Sequence, residues 1–426
     1  MSRKVYSVLA ALLVLLAGLG ACARATPTPS GPTPTPATPA PTPAKERVVR
    51  IASTWMVTGP ASDIGIHAIQ GWRDFVDYVN EDLGGVSGAR LELLWEDARY
   101  DVARETAAYE RFKDRGAVAI NIVSTPGNLG LINRFTQDQI TSIPASLDPA
   151  LIKDPGNYVF LTVLDYGHQG VALLNWMAQD WKAKGKTGNF KVGLIGWDNA
   201  YGRSVVPYLK AFAPQAGALI VEPFQWVPVG ALEVASQVSA LKGQNLDYVY
   251  AQVPTDVLAM VLKEAVRQGV REKITWTGNH WSLGEETVTL AGKDVAEGYV
   301  AILPYMVWED SPRPSGLNII ETLQRKHRGE KGIDYNKQYI IGWLQALVAY
   351  NGVKWAIEDV GFDKLSGKAV KEALEKGRVV DTMGLMPGMK YTPDDHRGAV
   401  QTRTGAIKGG KIVAISDWYQ VPFVKP

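Results

Sequence analysis

The amino-acid sequence predicts an α/β protein made of two successive units, each a parallel sheet covered by helices. Three observations predict it. From Arg47 to Leu303, strand-like runs alternate with segments whose apolar residues recur at helical spacing, the βαβα order of a parallel sheet. The runs are near-continuously apolar, as in Val118, Ile120, Ile122 and Val123, the pattern of strands buried on both faces. The alternation restarts after Tyr158–Leu164, and two units of ~100–130 residues suit a chain of this length.

The amino terminus stands outside this pattern. Arg3-Lys4 is followed by an apolar run from Val8 to Leu19, too short to span a membrane and shaped like a secretory signal. We assign residues 1–21 to it. Leu19-Gly20-Ala21-Cys22 resembles the lipobox of bacterial lipoproteins, so Cys22 is the expected lipidation site, the alternative being a plain cleavage site. Cys22 is the sole cysteine among 426 residues, so an exported chain holds no internal disulfide and depends on a large core. Residues 22–45 are almost wholly Pro, Thr, Ala and Ser, an extended tether more than a proline-motif ligand. Loss of the two basic residues with the signal brings the formal charge from +2 to zero. That balance points to neither nucleic acid nor an acidic membrane surface. The expected location is extracytoplasmic, on the cell membrane through a lipid anchor only (periplasm or outer face).

In order, strands are expected at Arg47–Ala52, Leu91–Trp95, Val118–Val123, Phe190–Ile195, Leu219–Glu222, Leu246–Ala251, Lys273–Trp276 and Gly298–Leu303, with helices between them. After Pro304 come three helical stretches, Leu317–His327, Gln338–Ile357 and Lys368–Lys376, then a strand-like end from Met389 to Gln420.

Enzyme signatures are missing: no dinucleotide or Walker glycine loop, no nucleophile elbow and no zinc-protease helix occurs. The five histidines are scattered without metal-ligand spacing, so neither metal nor cofactor is expected. What recurs is a strand ending in small polar or aromatic residues before a helix starts. The fullest case is Ser124-Thr125-Pro126-Gly127, with Thr125 as expected N-cap and Pro126 at the first helical position. A helix N-terminus offers free amides to a polar head group. Similar ends are Thr58-Gly59-Pro60, Ser146 with Asp148, Asp198 to Gly202, Thr255-Asp256 after Gln252, and Asn279-His280-Trp281. Singly, each is a cap or turn. Together they lie where ligands bind open parallel sheets, outside the carboxyl ends of the strands.

Thr58-Gly59-Pro60-Ala61-Ser62, then Asn80 through Gly84-Gly85-Val86-Ser87-Gly88 and Leu91-Glu92-Leu93, resembles the opening of type I periplasmic binding proteins, in particular the branched-chain amino-acid (Leu/Ile/Val) receptors of ABC importers. Asp97 with Asp101, Asp198-Asn199-Ala200-Tyr201-Gly202, and Ala251–Gly269 with Thr277-Gly278-Asn279 extend the resemblance over roughly residues 48–420. It implies two Rossmann-like lobes joined by three hinge crossovers, with a ligand trapped between them. We expect residues 46–165 plus 300–385 in the first lobe and 166–299 plus 386–426 in the second. The resemblance puts the ligand head on Ser124, Thr125 and the loop Ala145-Ser146-Leu147, with Tyr201 closing from the second lobe. Gln252, Thr255, Asn279 and His280 supply the later loops.

The chain departs from those receptors at telling places. Leu147 stands where a threonine is common, Asn279 (or His280) where an acid meets the ammonium, and Ile64 where an aromatic is expected. A buried ammonium lacking its acid is costly, so a strict α-amino acid is not the expected ligand. Thirteen tryptophans, with Trp55, Trp197 and Trp281 beside expected cleft loops, suit a larger apolar or aromatic body. The reading is a monomeric solute-binding lipoprotein. It captures a small organic ligand (amino acid, amide, or aromatic or aliphatic carboxylate) and passes it, unchanged, to an ABC permease. The alternatives are a hydrolytic enzyme using His168 or His280 near Ser146, and a sensor ectodomain.

Overall fold

A computed structural model describes residues 47–426; the expected signal, Cys22 and tether lie outside the described residues. The first half runs β1 (Val48–Trp55), α1 (Ser62–Glu81), β2 (Arg90–Asp97), α2 (Val102–Asp114), β3 (Ala117–Asn121), α3 (Thr125–Gln137) and β4 (Thr141–Ser142). Its four strands are all parallel, in the order β2-β1-β3-β4.

The second half begins with α4 (Tyr166–Ala183), β5 (Phe190–Trp197), α5 (Ala200–Arg203), α6 (Val206–Ala216) and β6 (Ala218–Ile220). It continues through β7 (Gln225–Val227), α7 (Ala235–Gly243), β8 (Tyr248–Gln252), α8 (Thr255–Arg267), β9 (Thr275–Gly278), α9 (Glu285–Ala291), α10 (Lys293–Ala296) and β10 (Val300–Leu303). Three helices follow, α11 (Ser315–Arg328), α12 (Lys337–Val360) and α13 (Gly367–Leu374), then β11 (Gln401–Lys408), β12 (Lys411–Ala414) and β13 (Tyr419–Gln420). The second sheet has the order β12-β11-β10-β9-β8-β5-β6, with β7 also on β5 and β13 on β11. From β6 to β10 its pairings are parallel; β11 and its partners are antiparallel.

Helices α12 and α13 return to the first sheet. Nearly every residue of α12 from Lys337 to Tyr350 is buried, the mark of a helix surrounded by core. It lies along α1 at backbone contact: a Cβ on Gly71 would fall 2.2 Å from the Tyr339 carbonyl oxygen, and one on Gly342 2.0 Å from that of Ala68. Beside this seam the Phe75 and Trp343 rings meet edge-on at 5.0 Å, and Trp72 Nε1 donates to Gln345 Oε1 at 3.2 Å.

The chain therefore passes between lobes three times: between β4 and α4, after β10, and before β11. Two expected boundaries move. The strand starting at Val300, expected in the first lobe, lies in the second sheet between β9 and β11. Residues 386–400, assigned to the second lobe, stay with the first. His396 Nε2 lies 3.0 Å from Glu375 at the end of α13, and Tyr391 packs edge-on against Phe160 at 5.3 Å. An all-apolar strand such as β10 satisfies either sheet equally in sequence; only its hydrogen-bond partners decide.

Candidate functional site

Each sheet has one place where strand order reverses. In the first sheet β1 leads to β2 on one side and β3 on the other; in the second, β5 leads to β6 on one side and β8 on the other. Such switch points form crevices at the carboxyl ends of the strands. Trp55 ends β1, Val123 follows β3, Trp197 ends β5 and Pro254 follows β8, and all four line one cavity between the lobes.

The cavity encloses about 360 Å³ of empty space, mouth included, of which about 30 Å³ can take the centre of a water-sized sphere. At ~10–15 Å³ per water this is room for roughly two, and the lobes touch across it where Thr255 bonds Asp63. Its walls are aromatic: Trp55, Tyr100, Tyr166, Trp197, Tyr201 and Trp281 all face it, beside Met56, Ala61, Ile64, Thr125 and Ala145. Trp55 of the first lobe meets Trp281 of the second edge-on at 6.4 Å, and Tyr100 meets Trp197 likewise at 5.1 Å. No lining residue carries a carboxylate, ammonium, guanidinium or imidazole. Burial pushes the Tyr100 and Tyr201 hydroxyls well above their ordinary pKa, so they remain neutral donors and acceptors.

The start of α3 corrects one expectation. Ser124, not Thr125, is the N-cap: its Oγ accepts from the Gly127 amide at 2.9 Å, and Thr125 is the first helical residue. Ser124 is also occupied from behind. Its amide donates to Glu105 Oε1 at 2.8 Å, and its hydroxyl donates to Glu105 Oε2. This carboxyl from α2 is buried, which raises its pKa to about 7. The helix N-terminus already holds a carboxyl of the chain itself, and Ser124 does not line the cavity.

Of the expected site residues, Trp55, Ile64, Thr125, Ala145 and Tyr201 line the cavity. The others do not line it, and most brace residues that do. Ser146 Oγ lies 2.8 Å from Thr125 Oγ1. Leu147 is buried, and its carbonyl accepts from the Tyr166 amide at 2.9 Å. Asn279 Nδ2 donates to Tyr201 OH at 2.7 Å, and Gln252 Nε2 to the Tyr201 carbonyl at 3.3 Å. Thr255 bonds Asp63 across the lobes. The His280 amide donates to Gln169 Oε1 at 3.2 Å; burial and the nearby Lys337 ammonium lower its pKa well below the usual value. The D-x-x-Y-G glycine has a steric reason. A Cβ on Gly202 would lie 1.9 Å from the Trp197 carbonyl oxygen, so only glycine lets Tyr201 follow β5 this closely.

Sequence reasoning did not select Met56, Tyr100, Tyr166 or Pro254 as site residues. For Tyr100 the only signal in the sequence is its place inside the Asp97–Asp101 motif; in the structure Arg99 and Tyr100 lie at φ +53° and +56°, a left-handed turn that swings the ring over the cleft. Tyr166 opens α4 at the first crossover and accepts from Trp281 Nε1 at 2.9 Å.

The histidine–serine pair needed for hydrolysis does not form. His168 Nδ1 lies 2.6 Å from Asp165 and its Nε2 accepts from the Val424 amide, in a separate groove near the first crossover.

Two lobes, three crossovers and a cavity walled by both switch points define a ligand-trapping receptor. The family model for periplasmic binding proteins matches residues 48–411, and the chain belongs to that family: it is a binding protein and not an enzyme. It is 23% identical to the Leu/Ile/Val-binding protein homolog 7 of Brucella abortus over 386 residues, covering 86% of this chain and 91% of the relative. It is 19% identical to the leucine-specific-binding protein of Salmonella typhimurium, over 67% of this chain and 74% of that one. Among solved structures it is similar to a branched-chain amino-acid ABC transporter protein from Thermus thermophilus with bound valine, at TM-score 0.78 and 26% identity, covering 88% and 97% of the two chains. A fatty-acid ABC transporter substrate-binding protein from Thermomonospora curvata superposes at TM-score 0.74 with 18% identity, covering 88% and 95%. The family is extracytoplasmic, and among the described residues no helix is long and apolar enough to cross a membrane.

Proposed function

We propose that this chain is the monomeric, lipid-anchored receptor of an ABC importer, held at the membrane by Cys22 and the tether of residues 22–45. It captures a small, largely apolar organic ligand and presents the closed lobes to the permease. Trp55, Ile64, Thr125 and Ala145 hold the ligand from the first lobe, and Tyr201 closes on it from the second. One observation carries this reading: one cavity is walled by the strand ends of both switch points, so a ligand there touches both lobes at once. Such a ligand favours the closed state by contacts that the open state lacks. The relatives named for leucine, isoleucine and valine support a ligand of that size.

A thermal-shift screen of a metabolite panel, with mass spectrometry of each hit after incubation, tests it. Ligand-dependent stabilisation with recovery of the unchanged compound supports the reading; chemical conversion of a hit refutes it. Radiolabelled palmitate or glycerol incorporated by the full-length chain and lost in Cys22→Ala tests the anchor.

A further inference from the structure

Two tryptophans that line the cavity have buried indole N–H groups with no hydrogen-bond partner among the described residues. Trp55 and Trp197 both line it, are 0% and 1% exposed, and leave Nε1 without a hydrogen-bond partner. They come from opposite lobes, at the ends of β1 and β5. The other cavity indole, Trp281, is satisfied by Tyr166. A buried donor left unpaired is costly; unlike the likewise unpaired indoles of Trp276 and Trp343, which line no part of this cavity, those of Trp55 and Trp197 belong to side chains that a bound ligand would touch.

The remaining surroundings say what that acceptor is. No lining side chain is ionised. Asn279 donates to Tyr201 and no carboxylate residue lines the cavity, so a cationic group finds no counter-charge in its wall. The start of α3 is already occupied by the Glu105 carboxyl, which takes both the amide and the hydroxyl of Ser124. At pH 8, above its pKa of about 7, this carboxyl is mostly ionised and disfavours a second negative charge nearby.

Resting on the receptor reading above, we infer that the ligand is an apolar-bodied molecule with an uncharged hydrogen-bond-acceptor head (amide, ketone or ester carbonyl), received by the indole N–H groups of Trp55 and Trp197, and not an α-amino acid zwitterion. The two donors lie on different lobes, so the same carbonyl that fixes the ligand also ties the lobes together.

Three probes of one skeleton separate the possibilities: L-leucine, 4-methylpentanoate and 4-methylpentanamide, titrated calorimetrically at pH 8 with the full folded chain. The amide is expected to bind at least tenfold more tightly than leucine and more tightly than the carboxylate. Leucine binding as well as the amide overturns the inference while leaving the receptor reading intact, and so does a preference for the carboxylate. Absence of binding by all three counts against the inference, whereas conversion of a probe counts against the receptor reading itself. Trp55→Phe and Trp197→Phe keep the rings and remove the N–H. Each is expected to weaken amide binding five- to tenfold with little change in Tm; unchanged affinity in both variants overturns the assignment of the donors.

Discussion

Thr255 Oγ1 at the start of α8 donates a 2.6 Å hydrogen bond to Asp63 Oδ2 in the first turn of α1, joining the two lobes beside the ligand cavity. Burial raises the Asp63 pKa, and its Oδ1 has no partner, so Thr255 is its chief support from the opposite lobe. Thr255→Val removes that bond and leaves the carboxylate buried against a methyl group. The closed state should lose about 1–2 kcal/mol, seen as a roughly five- to thirtyfold weaker affinity for the identified ligand. Small-angle scattering of the free variant should show a larger radius of gyration. An unchanged radius and affinity would mean that the bond does not hold the cleft shut.

Glu105 makes stability depend on pH. Its folded-state pKa stands at about 7, above the ordinary carboxyl value of 4.5. A carboxyl raised on folding favours the folded state fully below its unfolded pKa and loses that contribution as pH rises through the folded one. The loss therefore falls between about pH 4.5 and 7, on the order of 3 kcal/mol at most, by the usual conversion per pKa unit. Glu105→Gln abolishes the titration while keeping an acceptor for the Ser124 amide. Its Tm should fall less steeply than that of the natural chain across this window. The difference will not remove all pH dependence, because burial also raises the Asp148 and Asp256 carboxyls to about 6.

Gly342→Ala tests the seam between α1 and α12. The new methyl would sit 2.0 Å from the Ala68 carbonyl oxygen, and backbone cannot swing aside as a side-chain tip can. Separating the helices should cost about 3 kcal/mol by the scale of overpacked cores. Urea denaturation should show a lower midpoint. Affinity of the remaining folded molecules should stay within twofold, because neither Gly342 nor Ala68 lines the cavity.

Tyr201→Phe isolates one hydroxyl. The ring contacts with Tyr166 at 5.1 Å and Trp197 at 6.1 Å would persist, while Asn279 Nδ2 would lose its acceptor. A buried donor left unsatisfied costs about 1–3 kcal/mol. Calorimetry is expected to show affinity reduced about five- to tenfold, with a drop in Tm of the free protein. A Tm equal to that of the natural chain would show that Asn279 finds another partner.

Much of this molecule was legible in its sequence because it is written in local patterns. The near-continuous apolar runs of β3 and β5 mark buried strands, and their period against the helical spacing of α1 and α8 sets the order of elements. Thr125, Tyr201 and Trp55 could be placed at strand ends for the same reason, and Gly202 follows from the turn that its motif describes. Other features needed partners distant in the chain. Ser124 caps α3 while Thr125 faces the cavity, because Glu105, nineteen positions earlier, takes the serine from behind. Asn279 lacks the acid's charge in sequence, yet only the fold shows that its amide is already spent on Tyr201. The sheet that owns β10, the reach of Tyr100 over the cleft and the unpaired donors of Trp55 and Trp197 are likewise decided in space. Periodicity is a property of neighbours along the chain; hydrogen-bond satisfaction and burial are properties of neighbours across it.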